Sequence, residues 1–187
     1  MRAFIAIELP PNVKTELTAR QQELKRAGLN ARWVRAENIH LTLKFLGKID
    51  PGAVAAVRTA MTSAAERHGP LSLSASGIGV FPGVRKARVL WAGLSDGLPE
   101  LIELQKDLDA ALATCGFERE KRPFRGHLTM ARFRQRVHPA KLETALAKAD
   151  GAHFGQWTAR ELILFQSELQ PAGPLYTRLA AHPLRGQ

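Results

Sequence analysis

One short pattern with catalytic potential occurs twice. The first copy is His40-Leu41-Thr42-Leu43 and the second is His127-Leu128-Thr129-Met130, with the histidines 87 residues apart in a chain of 187. Ten Thr are spread over the chain, so a Thr follows a given His at that spacing about once in twenty. A doubled match with the same intervening Leu is far rarer. Each copy reads as a strand, and side chains two apart on a strand share a face. His and Thr of each copy therefore point the same way. Imidazole titrates near 6.5, so at neutral pH one ring can act as base while its twin acts as acid. Two rings in those roles suit in-line displacement at phosphorus. One activates the nucleophile, the other protonates the departing oxygen, and the Thr hydroxyls donate to the non-bridging oxygens. Neither copy has a second His or a carboxylate at ligand spacing, so no metal site is expected.

The flanks suit an anion. Seven basic residues and one acid lie between Arg119 and Arg136, while Arg32, Arg35, Lys44 and Lys48 surround the first copy. Gly83–Arg88 adds a basic loop. Phe45 and Phe133 are candidate stacking aromatics for an RNA-binding surface. Strict alternation groups Phe45 with Leu41 and Leu43 on the core side. It turns Arg132 away from His127. His68, His138, His153 and His182 lack the Thr and read as structural or surface residues.

The elements that must hold these residues alternate between strand and helix. Strands are expected at Arg2–Leu9, around both motifs, and at Leu71–Val80, Arg88–Leu94, His127–Phe133, Thr158–Phe165 and Tyr176–Ala181. Helices are expected after Pro10-Pro11, after Asp50-Pro51, from about Asp96 to Gly116, and from about Pro139 to Gly151. Gly77–Arg88 is the most loop-like internal stretch. This alternation, with adjacent strand pairs, indicates a layered α/β or α+β architecture. Repetition at half the chain length points to two related lobes.

Composition narrows the function. The net charge is +10 with 45% hydrophobic residues, which fits a folded chain with polyanionic partners. The single Cys115 rules out an internal disulfide and fits a reducing compartment. No apolar run is long enough to span a membrane, so a cytoplasmic location is expected. The P-loop and dinucleotide fingerprints are both missing, and no cofactor is expected.

The paired motifs, the His-Leu-Thr-Leu-x-Phe-Leu-Gly context, the Arg2-Ala3-Phe4-Ile5-Ala6 start, Phe165-Gln166-Ser167-Glu168-Leu169 and Gly173-Pro174-Leu175-Tyr176 together resemble the two-histidine phosphoesterase superfamily. Within it, the RNA 2′,3′-cyclic phosphodiesterases, also called the 2′-5′ RNA ligase family, are most similar. The resemblance implies one bilobal domain over 1–187, with pseudo-twofold symmetry and a central cleft. Each lobe would hold an antiparallel sheet with outer helices. It further implies metal-independent hydrolysis of a terminal 2′,3′-cyclic phosphate to a 2′-phosphate, on RNA that could include tRNA fragments. His40 would protonate the leaving 3′-oxygen, His127 would activate water, and Thr42 and Thr129 would hold the phosphate. Arg132 matches a basic position linked to the phosphate. Attack by an RNA 5′-hydroxyl would give 2′-5′ ligation without ATP. Gly126 departs from the Pro that many such relatives carry before the second His. The residues leave open the same chemistry on another cyclic nucleotide or a 2′-5′-oligoadenylate, and a non-enzymatic RNA-binding module. A monomer is the default expectation.

Overall fold

A computed structural model describes residues 1–149, 151–171 and 173–186. In chain order the elements are β1 (Arg2–Glu8), α1 (Pro11–Arg26), β2 (Arg32–Trp33), β3 (His40–Lys48), α2 (Val54–Ala65), β4 (Leu71–Phe81), β5 (Val89–Asp96), α3 (Leu98–Thr114), β6 (Leu128–Arg132), α4 (Pro139–Lys148), β7 (His153–Ala159), β8 (Glu161–Gln170) and β9 (Gly173–Pro183). Three helices, α1, α3 and α4, start where Pro sets the first turn and the missing N–H costs nothing. Before α2, Asp50 accepts from the Gly52 amide and caps a 3₁₀ turn at Pro51–Ala53, so the helix proper opens later than Asp50-Pro51 implies.

The strands form one antiparallel sheet in the order β7-β4-β5-β6-β3-β1-β8-β9, with β2 also against β6. The order has an internal symmetry. β7-β4-β5-β6 makes one half and β3-β1-β8-β9 the other, and they meet at a seam where β3 pairs β6 through Leu41 and Leu128. The mixed α+β architecture with two related antiparallel halves agrees with the sequence pattern. The pattern does not reveal that the halves trade strands. β4, from the first sequence repeat, pairs β5 of the second, and β8, from the second, pairs β1 of the first.

The helices cover one face. Leu41, Leu43, Leu128 and Met130 of the motif strands are buried with Val13, Leu17 and Leu24 of α1 and Leu101, Leu104 and Leu108 of α3. At roughly 25 cal/mol per Å² of apolar area removed from water, this layer is the main stabilising contribution to the sheet. The opposite face carries the His and Thr side chains.

Three expectations need correction. Thr158–Phe165 is two strands, because the chain breaks at Arg160 and crosses from the β4 edge to the β1 side of the sheet. The charged Arg160-Glu161 pair sits at that crossing. Gly77–Phe81 belongs to β4 rather than to a loop. Phe133 is buried in the helix-side core, so it is no stacking platform.

Candidate active site

The seam positions the two motifs. Leu41 opposite Leu128 is an antiparallel pair, and both side chains are fully buried. Continuing that register one residue in each direction sets His40 toward Thr129 and Thr42 toward His127. All four lie on the face opposite the two leucines. Each histidine is oriented by its own backbone. The His40 Nδ1–H donates to the Asn38 carbonyl at 2.9 Å, and the His127 Nδ1–H donates to the Arg125 carbonyl at 2.7 Å. Both bonds reach back two residues and leave Nε2 free for proton transfer.

A matched pair of β-bulges sets which way the residues after each motif face. Along the β1–β3 pairing the register skips Leu43, going from Thr42 opposite Ala6 to Lys44 opposite Ile5. Along β5–β6 it skips Met130, going from Thr129 opposite Trp91 to Ala131 opposite Leu90. One extra residue in one strand resets the alternation of faces. The burial sequence from position 40 to 46 accordingly matches that from 127 to 133, with two successive buried residues after each Thr. Strict alternation therefore misassigns three residues. Phe45 is not in the core but 64% exposed on the site face. Arg132 returns to the His127 face. Lys44 leaves it and is buried, donating to Asp109 Oδ1 at 2.6 Å and to the Glu118 carbonyl at 2.7 Å.

A cavity of about 400 Å³ opens on this face. It brings together His40, Thr42, Phe45, Thr129 and Arg132. His127 stands outside its lining, edge-on to Phe81 with ring centroids 5.1 Å apart. Arg2, Arg32 and Arg35 complete the charged lining, and no Asp or Glu contributes. Trp33, Leu169 and Tyr176 join Phe45 as its apolar side. Of the basic run Arg119–Arg136 only Arg132 reaches this cavity, and neither Lys48 nor the Gly83–Arg88 loop lines it. Sequence reasoning missed Arg2, Trp33, Leu169 and Tyr176 as site residues. They come from β1, β2, β8 and β9, and no spacing along the chain marks them.

His40 is the more enclosed imidazole. It stacks on Phe4 at 4.6 Å and meets Tyr176 edge-on at 5.3 Å. Phe4, Ala6, Ile163 and Phe165 form a second small core beneath it, with Tyr176 packed on its side. Burial lowers its pKa to about 4, opposed by the Asn38 hydrogen bond and assisted by the Lys14 charge. Burial also raises the Tyr176 phenol above its usual range, against the pull of Arg132 and Arg32. Before His127, Gly126 sits so close to Leu94 and Leu101 that a Cβ there would meet them at 3.0 and 3.2 Å. The tight packing accounts for a glycine where the resemblance anticipates Pro.

The remaining histidines lie elsewhere. His68 pairs Asp107 at 2.8 Å, and His182 meets the Thr62 hydroxyl at 2.9 Å with its pKa lowered by burial. His138 and His153 are exposed. Among the described residues no three His, Cys, Asp or Glu side chains gather as a metal site. No helix among them is long and apolar enough to cross a membrane.

The chain is similar to known proteins in both sequence and fold. The chain is 33% identical over 178 residues to the RNA 2′,3′-cyclic phosphodiesterase of Methanothermobacter thermautotrophicus, covering 95% of each chain. Its fold matches the Thermus thermophilus protein TT0787 with a TM-score of 0.83 and 27% identity, covering 100% of both. It matches Escherichia coli LigT, in a complex with NADP⁺, with a TM-score of 0.76 and 26% identity, covering 100% of this chain and 98% of that one. The family model for LigT-like phosphoesterases matches twice, over residues 7–91 and 93–176. Each match contains one His-x-Thr strand, as the two halves of the sheet do, and the chain belongs to the LigT-like phosphoesterase family.

Proposed function

We propose that the protein hydrolyses RNA 2′,3′-cyclic phosphate ends to 2′-phosphates, using one domain that spans residues 1–187. The observation that carries the reading is the pair of His-x-Thr strands opposed across one seam beside an arginine-lined cavity without carboxylates. The names of the similar phosphodiesterases support the substrate class. A cavity of this size with Phe45 and Trp33 on its wall fits a terminal nucleoside, with the base on the aromatic side and the phosphate toward the hydroxyls.

In the hydrolytic step, His127 Nε2 takes a proton from water as the water oxygen attacks phosphorus. The bond from phosphorus to the 3′-oxygen breaks in line, and His40 delivers a proton to that oxygen. The product carries a 2′-phosphate and a 3′-hydroxyl. Thr42 and Thr129 donate to the non-bridging oxygens, where charge grows. Arg132 neutralises the phosphate from the same face. Before substrate binds, burial holds His40 neutral at pH 7, so the acid role requires a proton to arrive with the substrate. The incoming phosphate anion favours that uptake. Replacing water by an RNA 5′-hydroxyl gives a 2′-5′ phosphodiester and needs no ATP, because the cyclic diester already holds the activated bond.

The test is a short RNA with a 2′,3′-cyclic end, incubated in EDTA from pH 5 to 9, with the product assigned as the 2′- or 3′-phosphate. Hydrolysis to the 2′-phosphate that survives EDTA is expected, since the two imidazoles supply both proton transfers. Exclusive 3′-phosphate formation would overturn the assignment of the leaving oxygen. Absence of turnover with proper folding would overturn the substrate.

A further inference from the structure

A second cavity of about 530 Å³ lies beside the first, and nothing in the reaction above uses it. Its lining includes Arg32, Arg134, Arg136, His138 and Lys141 and no acidic residue. Arg32 lines both cavities, so the two adjoin at that residue. Arg132 and Arg134, two residues apart, continue the same charge outward from the end of β6. Some basic side chains elsewhere on the surface have acidic neighbours, as in Arg20–Glu23, Lys106–Glu103 and Arg67–Asp107. Arg32, Arg134, Arg136 and Lys141 have no carboxylate within 4.0 Å among the described residues. The Lys141 ammonium is set close over the turn at Gly28. That residue has φ +79°, and a Cβ on it would stand 2.9 Å from Nζ. The left-handed turn favours glycine there, while the flexible end of Lys141 could yield to a side chain.

Like charges crowded in a concavity without counter-charge raise the local potential and favour a polyanion. We infer that this groove binds the phosphodiester backbone of the RNA upstream of its cyclic end, as the strand leaves the catalytic cavity past Arg32. The identity of the polyanion rests on the proposed function, while the groove itself stands on its own residues. The site would then contact at least two nucleotides of the substrate and prefer oligonucleotides to mononucleotides. Readout there is of backbone charge, so it is tolerant of sequence.

The test uses Arg134→Gln/Arg136→Gln/Lys141→Gln, three exposed side chains that do not line the catalytic cavity. Binding of a fluorescent ten-nucleotide RNA with a 3′-hydroxyl is measured against salt for both proteins. Turnover is measured on a cyclic-ended decamer and on 2′,3′-cyclic AMP. Expected are weaker decamer binding and a log–log salt slope shallower by about 2, at roughly 0.7 per lost phosphate contact. An approximately tenfold rise in KM for the decamer is also expected, with 2′,3′-cyclic AMP turnover unchanged. Equal decamer affinity and slope in the two proteins would overturn the groove. So would parallel loss on both substrates, because the groove would then not be separate from the catalytic cavity. Groove-dependent decamer binding by a wild-type protein that turns over neither cyclic substrate would overturn the hydrolytic reading and leave the groove standing.

Discussion

The two halves of the sheet share a frame and differ in what is mounted on it. Each has a His whose Nδ1 is tied to the carbonyl two residues back, a Thr two residues on, and a bulge directly after that Thr. At the three positions after the bulged residue the halves diverge. Lys44, Phe45 and Leu46 in one correspond to Ala131, Arg132 and Phe133 in the other. The exposed position is aromatic beside His40 and cationic beside His127. Enclosure differs as well. His40 is stacked on Phe4 over a small aromatic core, whereas His127 meets Phe81 edge-on and stays outside the cavity lining. In the proposed function, the chemistry that needs two equivalent groups rests on the repeated frame. In that same function, the exposed one of the three positions separates a base on the Phe45 side from a phosphate on the Arg132 side.

The largest expected effect removes the shared part. His40→Ala and His127→Ala should each lower kcat/KM about a thousandfold while the folded state is retained. The double variant should fall little further, because groups acting in one step are not additive. Steady-state turnover of a cyclic-ended RNA checks this, and full activity in either single variant sinks the two-imidazole mechanism.

A stability experiment breaks the symmetry next. Lys44 is 5% exposed and its ammonium is paired with Asp109, while Ala131 needs no partner. Asp109→Ala should cost about 3 kcal/mol in denaturant unfolding, since it removes the near carboxylate from a buried ammonium and leaves it only the half-exposed Glu120 at 3.5 Å. A loss under about 1 kcal/mol would show that the pair contributes little to the fold.

The enclosure difference is read by pH. The His40 pKa is 6.5 in a free chain and about 4 in the fold, so the unfolded state holds the extra proton between those values. The stabilisation is fully present above pH 6.5 and is lost as pH falls toward 4, by about 3 kcal/mol in all. His182 is shifted in the same direction and adds to the slope. His40→Gln should flatten unfolding free energy across that window, and an unchanged slope would remove His40 from the account.

The smallest effect separates the two exposed positions. Phe45→Ala should raise KM about tenfold through lost stacking and leave the salt dependence alone. Arg132→Gln should raise KM by a similar factor and make the log–log salt slope shallower by about 0.7. Identical salt behaviour in the two variants would erase the proposed division between base and phosphate.

The paired motifs were legible because His and Thr two apart on a strand carry their geometry in their spacing. Helix starts were legible at Pro11, Pro99 and Pro139, where the backbone restriction is local. The faces of Lys44, Phe45 and Arg132 were not. A bulge needs a partner strand to exist, and the partners β1 and β5 lie tens of residues away. The cavity walls from Arg2, Trp33, Leu169 and Tyr176 were illegible for the same reason. Sequence spacing reports neighbours along a strand, not neighbours across a sheet. The crossing at Arg160 was marked only by the charged Arg160-Glu161 pair, which a single strand could also carry on an exposed face.

The traded strands β4 and β8 bear on how such a chain could be divided. Neither sequence repeat closes its own half of the sheet, since β4 of the first pairs β5 of the second and β8 of the second pairs β1 of the first. A single copy of one repeat would leave one edge of its first strand open and carry a later strand, β4 or β8, away from the strand it pairs in the whole sheet. Its natural remedy is to exchange that later strand with a second copy around a twofold axis. Apart from the added strands β7 and β9 of the second repeat, the present chain has the connectivity of such a swapped homodimer fused head to tail. Cleavage in the exposed segment before β5 would leave two fragments, each holding a strand that the other lacks, able to recover the sheet only by reassociating.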